Sequence, residues 1–257
     1  MTTAPPAAST ALPGAIVVGA SSGIGEALAQ RLAREGYAVA LLARRLDRLT
    51  EICSRLNAEL GQGRARAYAH DVTRYDDVPA LFATVLRDLG RVTLVVYCSG
   101  VIERIGLSEY SFDKDRWTVE VNVLGAIAWL NQAAMLFERM GSGSIVGISS
   151  IAGERGRVRN PVYNATKAAF TTYLEALRNR LTRKGVHVLT VKPGFVNTAF
   201  LEGIPNTFWV ISPEAAAADI WKSLRRRRQT VFVPARWGLV ALALRNIPSS
   251  IFRRLSI

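Results

Sequence analysis

The chain has 257 residues, a hydrophobic fraction of 49%, a charged fraction of 21% and a formal net charge of +13. This composition excludes a disordered chain and is sufficient to bury a sizeable core. Two cysteines cannot form a disulfide framework, and two histidines leave no cluster with metal-ligand spacing. We therefore expect a reducing, cytoplasmic setting and no metal site.

Residues 1–13 are rich in Ala, Pro, Ser and Thr, and they lack the basic and apolar regions of a secretory signal peptide. The composition predicts a mobile N-terminal tail over 1–13. No later stretch is a continuous run of about 18 apolar residues, which a membrane-spanning helix needs.

In the rest of the chain, short apolar runs alternate with longer segments of helical period. The predicted strands cover 15–19, 37–43, 66–69, 93–98, 144–149, 186–192 and 230–233. The predicted helices cover 23–35, 46–60, 78–89, 113–140, 161–184 and 213–227. Such alternation is typical of βαβ units, and strands that are apolar throughout are buried on both faces. The pattern predicts an α/β fold over 14–234, a single-domain Rossmann-type doubly wound seven-stranded parallel sheet with helices on both faces, which binds its ligand at the carboxyl ends of the strands.

A glycine-rich turn joins the first predicted strand to the first predicted helix. Its residues are Gly19, Ala20, Ser21, Ser22, Gly23, Ile24 and Gly25. Glycines let backbone N–H groups approach a pyrophosphate at the helix N-terminus. The spacing differs from the G-x-G-x-x-G dinucleotide fingerprint, and the alternative is an ordinary turn at the start of a helix.

The second predicted strand ends at Arg44 and Arg45, where a carboxylate would accept a hydrogen bond from the free 2′-hydroxyl of NADH. Arginine instead offers a planar set of donors that suits a phosphate. The two residues therefore favour NADPH or NADP+ over NADH. The alternative is that both are solvated residues at the start of the next helix.

Tyr163 and Lys167 begin the helix predicted at 161–184, and their spacing of four places them on one face. A phenol titrates near pH 10, and a neighbouring ammonium lowers its pKa, which suits acid–base chemistry. Ser150 ends the preceding strand, where its hydroxyl can hold a substrate oxygen against Tyr163. Asn122 lies among apolar neighbours and, taken alone, is a hydrogen-bonded core amide.

Together these residues resemble the short-chain dehydrogenase/reductase family over residues 14 to about 234. The matching positions, in order, are Gly19, Gly23, Ile24, Gly25, Asp71, Asn122, Ser150, Tyr163, Lys167, Pro193 and Gly194. The resemblance implies an NADP(H)-dependent enzyme that interconverts a ketone and a secondary alcohol. It also implies a homodimer or homotetramer in which two long helices pair across subunits.

Within that resemblance each site residue has an expected role. Tyr163 is the catalytic acid or base, Lys167 binds the nicotinamide ribose and lowers the pKa of Tyr163, and Ser150 orients the carbonyl. Asn122 supports a water-linked proton relay to Lys167, and Asp71 with Val72 contacts adenine. The segment expected to meet the nicotinamide carboxamide contains Pro193, Gly194, Val196 and Thr198.

One departure from the family pattern follows the fourth predicted strand, where the family has Asn-Asn-Ala-Gly. Here the residues are Tyr97, Cys98, Ser99 and Gly100. Gly100 keeps the passage of the backbone beside the adenine ribose, and we expect Cys98, Ser99 and Gly100 to line the cofactor site. The missing amides leave open how this turn is braced.

Residues 199–211 occupy the position of the family's substrate loop and are rich in apolar side chains. They indicate either an apolar lid over the substrate or a loop packed on the core. After residue 234 comes a basic amphipathic C-terminal extension, 235–257. From 220 to the end the chain has nine basic residues and no acid. The extension is expected either to contact a membrane peripherally, at the inner face, or to pack on the domain or a second subunit.

The stretch 144–157 with Asn160, together with the stretch 185–196, resembles a branch that includes reductases of polyprenyl-phosphoryl keto-pentose. That resemblance favours an apolar or lipid-linked keto-sugar as substrate; a soluble ketone or a 3-oxoacyl chain is the competing choice. A different class is a catalytically idle Rossmann-fold binding or regulatory protein that uses its basic C-terminus. No aromatic stacking platform is interleaved with the arginines of 225–228, so we expect no nucleic-acid partner.

Overall fold

The computed structural model describes residues 12–204 and 207–255, so most of the predicted tail at 1–13 lies outside the described residues. Its strands are β1 (Gly14–Val18), β2 (Ala38–Ala43), β3 (Ala65–Ala69), β4 (Val92–Tyr97), β5 (Gly143–Ile148), β6 (Val186–Pro193) and β7 (Thr230–Val233). They form one parallel sheet in the order β3-β2-β1-β4-β5-β6-β7. The order reverses between β1 and β4, as in a doubly wound fold, so the predicted fold is confirmed.

Helices cover both faces of this sheet. They are α1 (Gly23–Arg34), α2 (Leu46–Leu60), α3 (Val78–Leu89), α4 (Phe112–Val119), α5 (Gly125–Met140), α6 (Pro161–Leu181), α7 (Pro213–Arg225), α8 (Trp237–Asn246) and α9 (Ser249–Phe252). Alternate residues of β1 belong to separate cores: Ala15 and Val17 pack beneath α1, α2 and α7, whereas Ile16 and Val18 pack beneath α3, α5 and α6. The strands are apolar throughout because both of their faces are buried.

The helix predicted at 113–140 is interrupted by a π-turn, Glu120–Leu124, between α4 and α5. The fully buried Tyr97 explains the interruption, because its hydroxyl donates to the Val121 carbonyl at 2.7 Å. A π-turn inserts an extra residue into the helix and often marks a functional site. A periodic pattern of apolar residues does not show such an insertion.

By length and mean hydropathy, the 29-residue stretch Phe112–Met140 resembles a membrane-spanning helix, although 44% of its most apolar window is buried within the protein. Trp129, Leu130 and Phe137 belong to the core beneath the sheet and are fully buried. Core helices of soluble proteins share this composition, so the stretch is weak support for a membrane span.

Candidate active site

A cavity of about 420 Å³ opens where the strands end. Residues at or just after the ends of β1 to β6 line this cavity. A doubly wound sheet binds its ligand at this edge, where the strand order reverses between β1 and β4. The predicted site residues that line it are Gly19, Ser21, Ser22, Gly23, Ile24, Arg44, Arg45, Asp71, Val72, Cys98, Ser99, Gly100, Ser150, Tyr163, Lys167, Pro193, Gly194, Val196 and Thr198. Gly25 and Asn122 lie behind the wall instead.

The glycine-rich turn presents bare backbone at the start of α1. Gly23 has φ +58°, a left-handed conformation that other residues rarely adopt, and a Cβ there would meet the Thr198 methyl at 2.9 Å. A Cβ on Gly25 would lie 2.0 Å from the Gly19 carbonyl oxygen, so the turn can close only around glycine. Free N–H groups at a helix N-terminus fit a pyrophosphate.

Arg44 and Arg45 both line the cavity at the end of β2. Arg45 donates from Nη2 to the Ser21 hydroxyl at 3.1 Å and to the Ser21 carbonyl at 3.3 Å, so its guanidinium lies against the glycine-rich turn. The Arg44 guanidinium lies 5.8 Å from the centre of the Trp117 ring. This end of the cavity is therefore cationic, which fits a nucleotide with an extra phosphate.

Asp71 is the one carboxylate among the described lining residues. Its Oδ1 accepts from the Thr73 backbone N–H at 3.0 Å and from the Thr73 hydroxyl at 2.9 Å. Burial acts to raise the pKa of Asp71, but the Thr73 hydrogen bonds and the charge of Arg44 outweigh it and lower the pKa. Asp71 is thus a fixed carboxylate beside the cationic end.

Tyr163 and Ser150 reach the cavity from two elements that the sequence separates. Pro161 begins α6, which puts Tyr163 in its first turn, and Ser150 follows β5 with its Oγ accepting from the Ala152 N–H at 3.0 Å. The adjacent Ser149 is turned to α6, where its hydroxyl donates to the Lys167 carbonyl at 2.9 Å. Ser150, not Ser149, is therefore the hydroxyl left for a substrate.

The pKa of the Tyr163 phenol differs from the sequence-based expectation. Burial raises this pKa, and the Ser150 hydroxyl and the charge of Arg157 counteract that rise only in part. Lys167 was expected to lower it, but its Nζ lies 5.8 Å from the centre of the phenol ring and donates to the Ile148 carbonyl at 3.2 Å. Burial also lowers the pKa of Lys167 to about 8, so Lys167 is mostly charged at neutral pH and loses its charge as the pH rises through about 8.

Asn122 lies in the π-turn and is only 1% exposed. Its amide is fully used, because Nδ2 donates to the Val101 carbonyl at 2.9 Å and to Thr166 Oγ1 at 3.1 Å, while Oδ1 accepts from the Val101 N–H at 2.8 Å. A Cβ on Gly100 would lie 3.3 Å from Asn122 Oδ1 and 3.4 Å from Lys167 Nζ. Asn122 therefore supports the loop that passes Lys167 and does not line the cavity.

The other half of the cavity is apolar. From the substrate loop, Phe200, Leu201 and Ile204 line the wall, and Phe208 and Trp209 pack on Trp237 with ring centres 5.0 Å and 5.9 Å away. Residues 205 and 206 lie outside the described part of the chain. The loop thus has features of both expectations, since one part lines the cavity and the next packs on a neighbouring element.

That neighbouring element is the C-terminal extension, which contributes Trp237 to the cavity wall. A Cβ on Gly194 would lie 2.1 Å from the Trp237 ring, so glycine is needed for the contact. Trp237 is 4% exposed and Ala241 is buried beside it. The predicted boundary at residue 234 therefore does not separate the extension from the site.

Two polar contacts hold the extension to the turn after Ser150. Glu154, whose side chain is 2% exposed, accepts from Lys192 Nζ at 2.6 Å and from the Arg245 guanidinium of α8. Arg155 donates to the Leu244 carbonyl at 2.7 Å and stacks on the Phe252 ring at 4.1 Å. These contacts show that the extension packs on its own domain, which is one of the arrangements expected from the sequence.

Several residues that line the cavity were not predicted from the sequence. They are Ile102, Trp117, Arg157, Phe195 and Trp237. None stands in a motif with a recognisable spacing. A basic residue in the short segment between Ser150 and Tyr163 was the only available signal, and it pointed to Arg155 and Arg159 as much as to Arg157.

This fold and this cavity define a doubly wound α/β protein with a dinucleotide-type loop and a Ser-Tyr-Lys cluster. The family model described as short chain dehydrogenase matches residues 14–207. The chain belongs to the short-chain dehydrogenase family, a family of oxidoreductases, and the family predicted from the sequence is confirmed.

Relatives and solved structures agree with this assignment. An uncharacterised oxidoreductase of Staphylococcus epidermidis is 32% identical over 189 residues, 74% of this chain and 80% of that protein. A short-chain dehydrogenase from Sphingobium yanoikuyae, solved with NADPH, has a TM-score of 0.80 at 27% identity and covers 93% of this chain and 97% of its own. A short-chain type dehydrogenase/reductase from Mycobacterium ulcerans has a TM-score of 0.78 at 28% identity and covers 86% and 88%.

Proposed function

We propose that the protein interconverts a ketone and a secondary alcohol with NADPH or NADP+ as cofactor, using Tyr163 as the proton donor or acceptor. The observation that carries the proposal is that Tyr163, Ser150 and Lys167 line one cavity with the glycine-rich turn. A phenol and a hydroxyl that point to one space can bind and protonate a single carbonyl oxygen.

Each site residue has its own role in the proposed reaction. Ser150 donates a hydrogen bond to the carbonyl oxygen and holds it against Tyr163, whose phenol gives that oxygen a proton. When bound, NADPH supplies the hydride equivalent to the carbonyl carbon. Lys167 would hold the nicotinamide ribose and return a proton to Tyr163, while Asn122 positions the loop that passes Lys167. Burial raises the pKa of Tyr163, so the phenol is protonated at neutral pH and carries the proton that reduction needs.

The cofactor choice rests on the cationic end of the cavity. Arg44 and Arg45 would hold the 2′-phosphate, the turn from Gly19 to Gly25 the pyrophosphate, and Asp71 with Val72 the adenine. The NADPH bound to the Sphingobium yanoikuyae enzyme supports the same choice. NADH is expected to bind less tightly, because no carboxylate follows β2 to accept from its ribose.

The substrate half of the cavity favours an apolar carbonyl compound, and a lipid-linked keto-sugar fits that description. A soluble ketone or a 3-oxoacyl chain is the competitor. The alternative of a catalytically idle binding or regulatory protein is less well supported, because Tyr163, Ser150 and Lys167 are all placed for chemistry. Cofactor binding without turnover of any carbonyl would favour that alternative.

The proposed assembly is a homodimer or homotetramer. Leu124, which ends the π-turn, and Met135 of α5 are 42% and 50% exposed, and α6 presents the small residues Ala165, Ala169 and Ala176 outward. Paired helices would cover this surface. Sedimentation is expected to show an oligomer that an Ala169→Arg change dissociates; a wild-type monomer would contradict the proposal.

The decisive experiment is a cofactor and substrate screen. NADPH and NADH are titrated, and their oxidation is followed with ketones, keto-sugars and acyl-chain ketones, beside the Tyr163→Phe variant. We expect NADPH-selective turnover that falls by about two to four orders of magnitude in the variant, since acid–base groups contribute that much. Unchanged turnover in Tyr163→Phe would rule out the assigned proton donor.

A further inference from the structure

Arg157 is a cation in the substrate half of the cavity that the proposed reaction does not use. It lies in the segment between Ser150 and α6, and its side chain lines the same wall as Tyr163. Both side chains line the same cavity, and the charge of Arg157 counteracts part of the rise in the pKa of Tyr163. A ligand that reaches Tyr163 therefore also reaches the neighbourhood of Arg157.

The described residues provide no counter-charge for this guanidinium. Within residues 12–204 and 207–255, no carboxylate oxygen lies within 4.0 Å of Arg157, and the nearby acid in sequence, Glu154, is held by Lys192 and Arg245. In the same ranges, Nη2 alone has a hydrogen-bond partner, Asn164 Oδ1 at a long 3.3 Å, and Nε is enclosed without one. A guanidinium keeps its charge in a protein, so this arrangement lacks an anion.

Of the other cations that line the cavity, Arg44 and Arg45 lie at the cofactor end and Lys167 is hydrogen-bonded to the backbone. Arg45 donates to Ser21 at the cofactor end, and Lys167 donates to the Ile148 carbonyl. Arg157 is thus the cation that remains for the substrate, and its planar fork of donors matches the two oxygens of a carboxylate or phosphate.

The other residues that line this cavity indicate the rest of the ligand. Phe200, Leu201, Ile204 and Trp237 line the cavity and offer apolar surface, and no carboxylate is among the described lining residues at this end. A small hydrophilic anion would leave that surface uncovered, whereas a neutral apolar molecule would leave the guanidinium unpaired. A molecule with an anionic group and an apolar body satisfies both.

We propose that Arg157 binds an oxyanion of the substrate, a carboxylate or a phosphate carried on an apolar body, and so selects amphiphilic anionic carbonyl compounds. This inference rests on the proposed function, because it names the substrate class of the same site. It assigns to Arg157 a specificity role, separate from the proton transfer by Tyr163.

The test is a binding titration that needs no turnover. The protein is saturated with NADP+ and titrated with octyl phosphate, octanoate and octanol, and tryptophan fluorescence is followed because Trp237 lines the cavity. We expect one or both anions to bind about tenfold more tightly than octanol, the effect of one charge-assisted hydrogen-bonded pair. Arg157→Gln removes this preference, and Arg159→Gln, a change at an exposed arginine two positions away, keeps it.

The outcomes separate the possibilities. A preference for octyl phosphate or for octanoate supports the proposal and identifies the oxyanion. Equal affinity of wild-type protein for octanol and both anions overturns it without any variant, and so does an equal loss in Arg157→Gln and Arg159→Gln. If Arg157→Gln no longer binds NADP+, Arg157→Lys replaces it, with a partial loss expected because lysine lacks the fork. Intact anion selectivity without carbonyl turnover would refute the proposed reaction and leave the anion site standing.

Discussion

At the residue scale, burial controls the titration of the two central groups. It raises the pKa of Tyr163 above its ordinary value of 10.0 and lowers that of Lys167 to about 8. In both cases the charged form is disfavoured, because the site replaces water with a less polar environment. Tyr163 thus stays a phenol, and Lys167 is the group that changes charge within the usual assay range.

The pH profile of carbonyl reduction tests this order. Lys167 is protonated below about pH 8 and neutral above it. In the proposed reaction Lys167 reprotonates Tyr163, so kcat/KM for reduction is expected to be at its maximum below about pH 8 and to fall as pH rises through it. NADPH binding measured over the same range separates loss of cofactor from loss of proton transfer. A profile that stays flat until the phenol titrates would assign the limb to Tyr163 and contradict the role of Lys167.

Tyr97 helps to support the turn that lacks the family's Asn-Asn pair. Its phenol crosses the core to the Val121 carbonyl, next to Asn122 in the π-turn. Asn122 in turn binds both backbone groups of Val101. The turn after β4 is therefore supported by the Tyr97 phenol and by the Asn122 amide of the π-turn, instead of by amides within the turn itself.

At the scale of elements, the C-terminal extension is held by a buried charge cluster. Glu154 is 2% exposed and lies between Lys192, at 6%, and the half-exposed Arg245. The cluster ties the end of β6 and the helix α8 to the turn after Ser150. A buried carboxylate between two cations stabilises the structure only while all partners remain.

Removal of the central charge is expected to cost more than removal of an outer one. Glu154→Gln leaves Lys192 buried without a counter-charge and should lower the free energy of unfolding by about 3 kcal/mol. The matched Arg245→Gln change removes a half-exposed partner and should cost about 1 kcal/mol or less. Urea unfolding monitored by circular dichroism measures both. Equal losses would contradict the expected dependence on burial, and no loss in Arg245→Gln would show that its ion pair with Glu154 does not anchor the extension.

At the scale of the whole molecule, basic and apolar residues lie on two different edges. The arginines of 225–228 precede β7, and the Arg228 carbonyl contacts His187 at the beginning of β6, so they mark the edge opposite the cavity. Leu239, Leu242 and Ile251 are 72%, 59% and 53% exposed on the extension beside the cavity. A peripheral membrane contact, proposed at the inner face, would therefore use the extension and not the arginine run.

Vesicles of anionic lipid test this contact. The wild-type protein is expected to sediment with them, and a triple variant, Leu239→Glu, Leu242→Glu and Ile251→Glu, is expected to stay in solution because its apolar face is lost. Glutamine at Arg225, Arg226 and Arg228 serves as the control and should retain binding. A truncation after Pro234 is unsuitable, since it also removes Trp237 from the cavity wall. Equal sedimentation of the triple variant would exclude a membrane role for the extension.

The sequence by itself determined the parallel sheet, the glycine-rich turn, the paired arginines and the cluster of Ser150, Tyr163 and Lys167. These features depend on local periodicity, on backbone freedom at glycine and on spacing within one helix, which a chain carries in its order of residues. The family assignment followed from the same motifs.

Only the tertiary structure decided the remaining features. The contact of Glu154 with Arg245 spans 91 positions, and Trp237 enters the cavity from beyond the last strand. Whether Arg157 has a counter-charge depends on where Glu154 is held, and the pKa shifts of Tyr163 and Lys167 depend on burial. Packing between distant segments creates these properties, and no local pattern of residues encodes them.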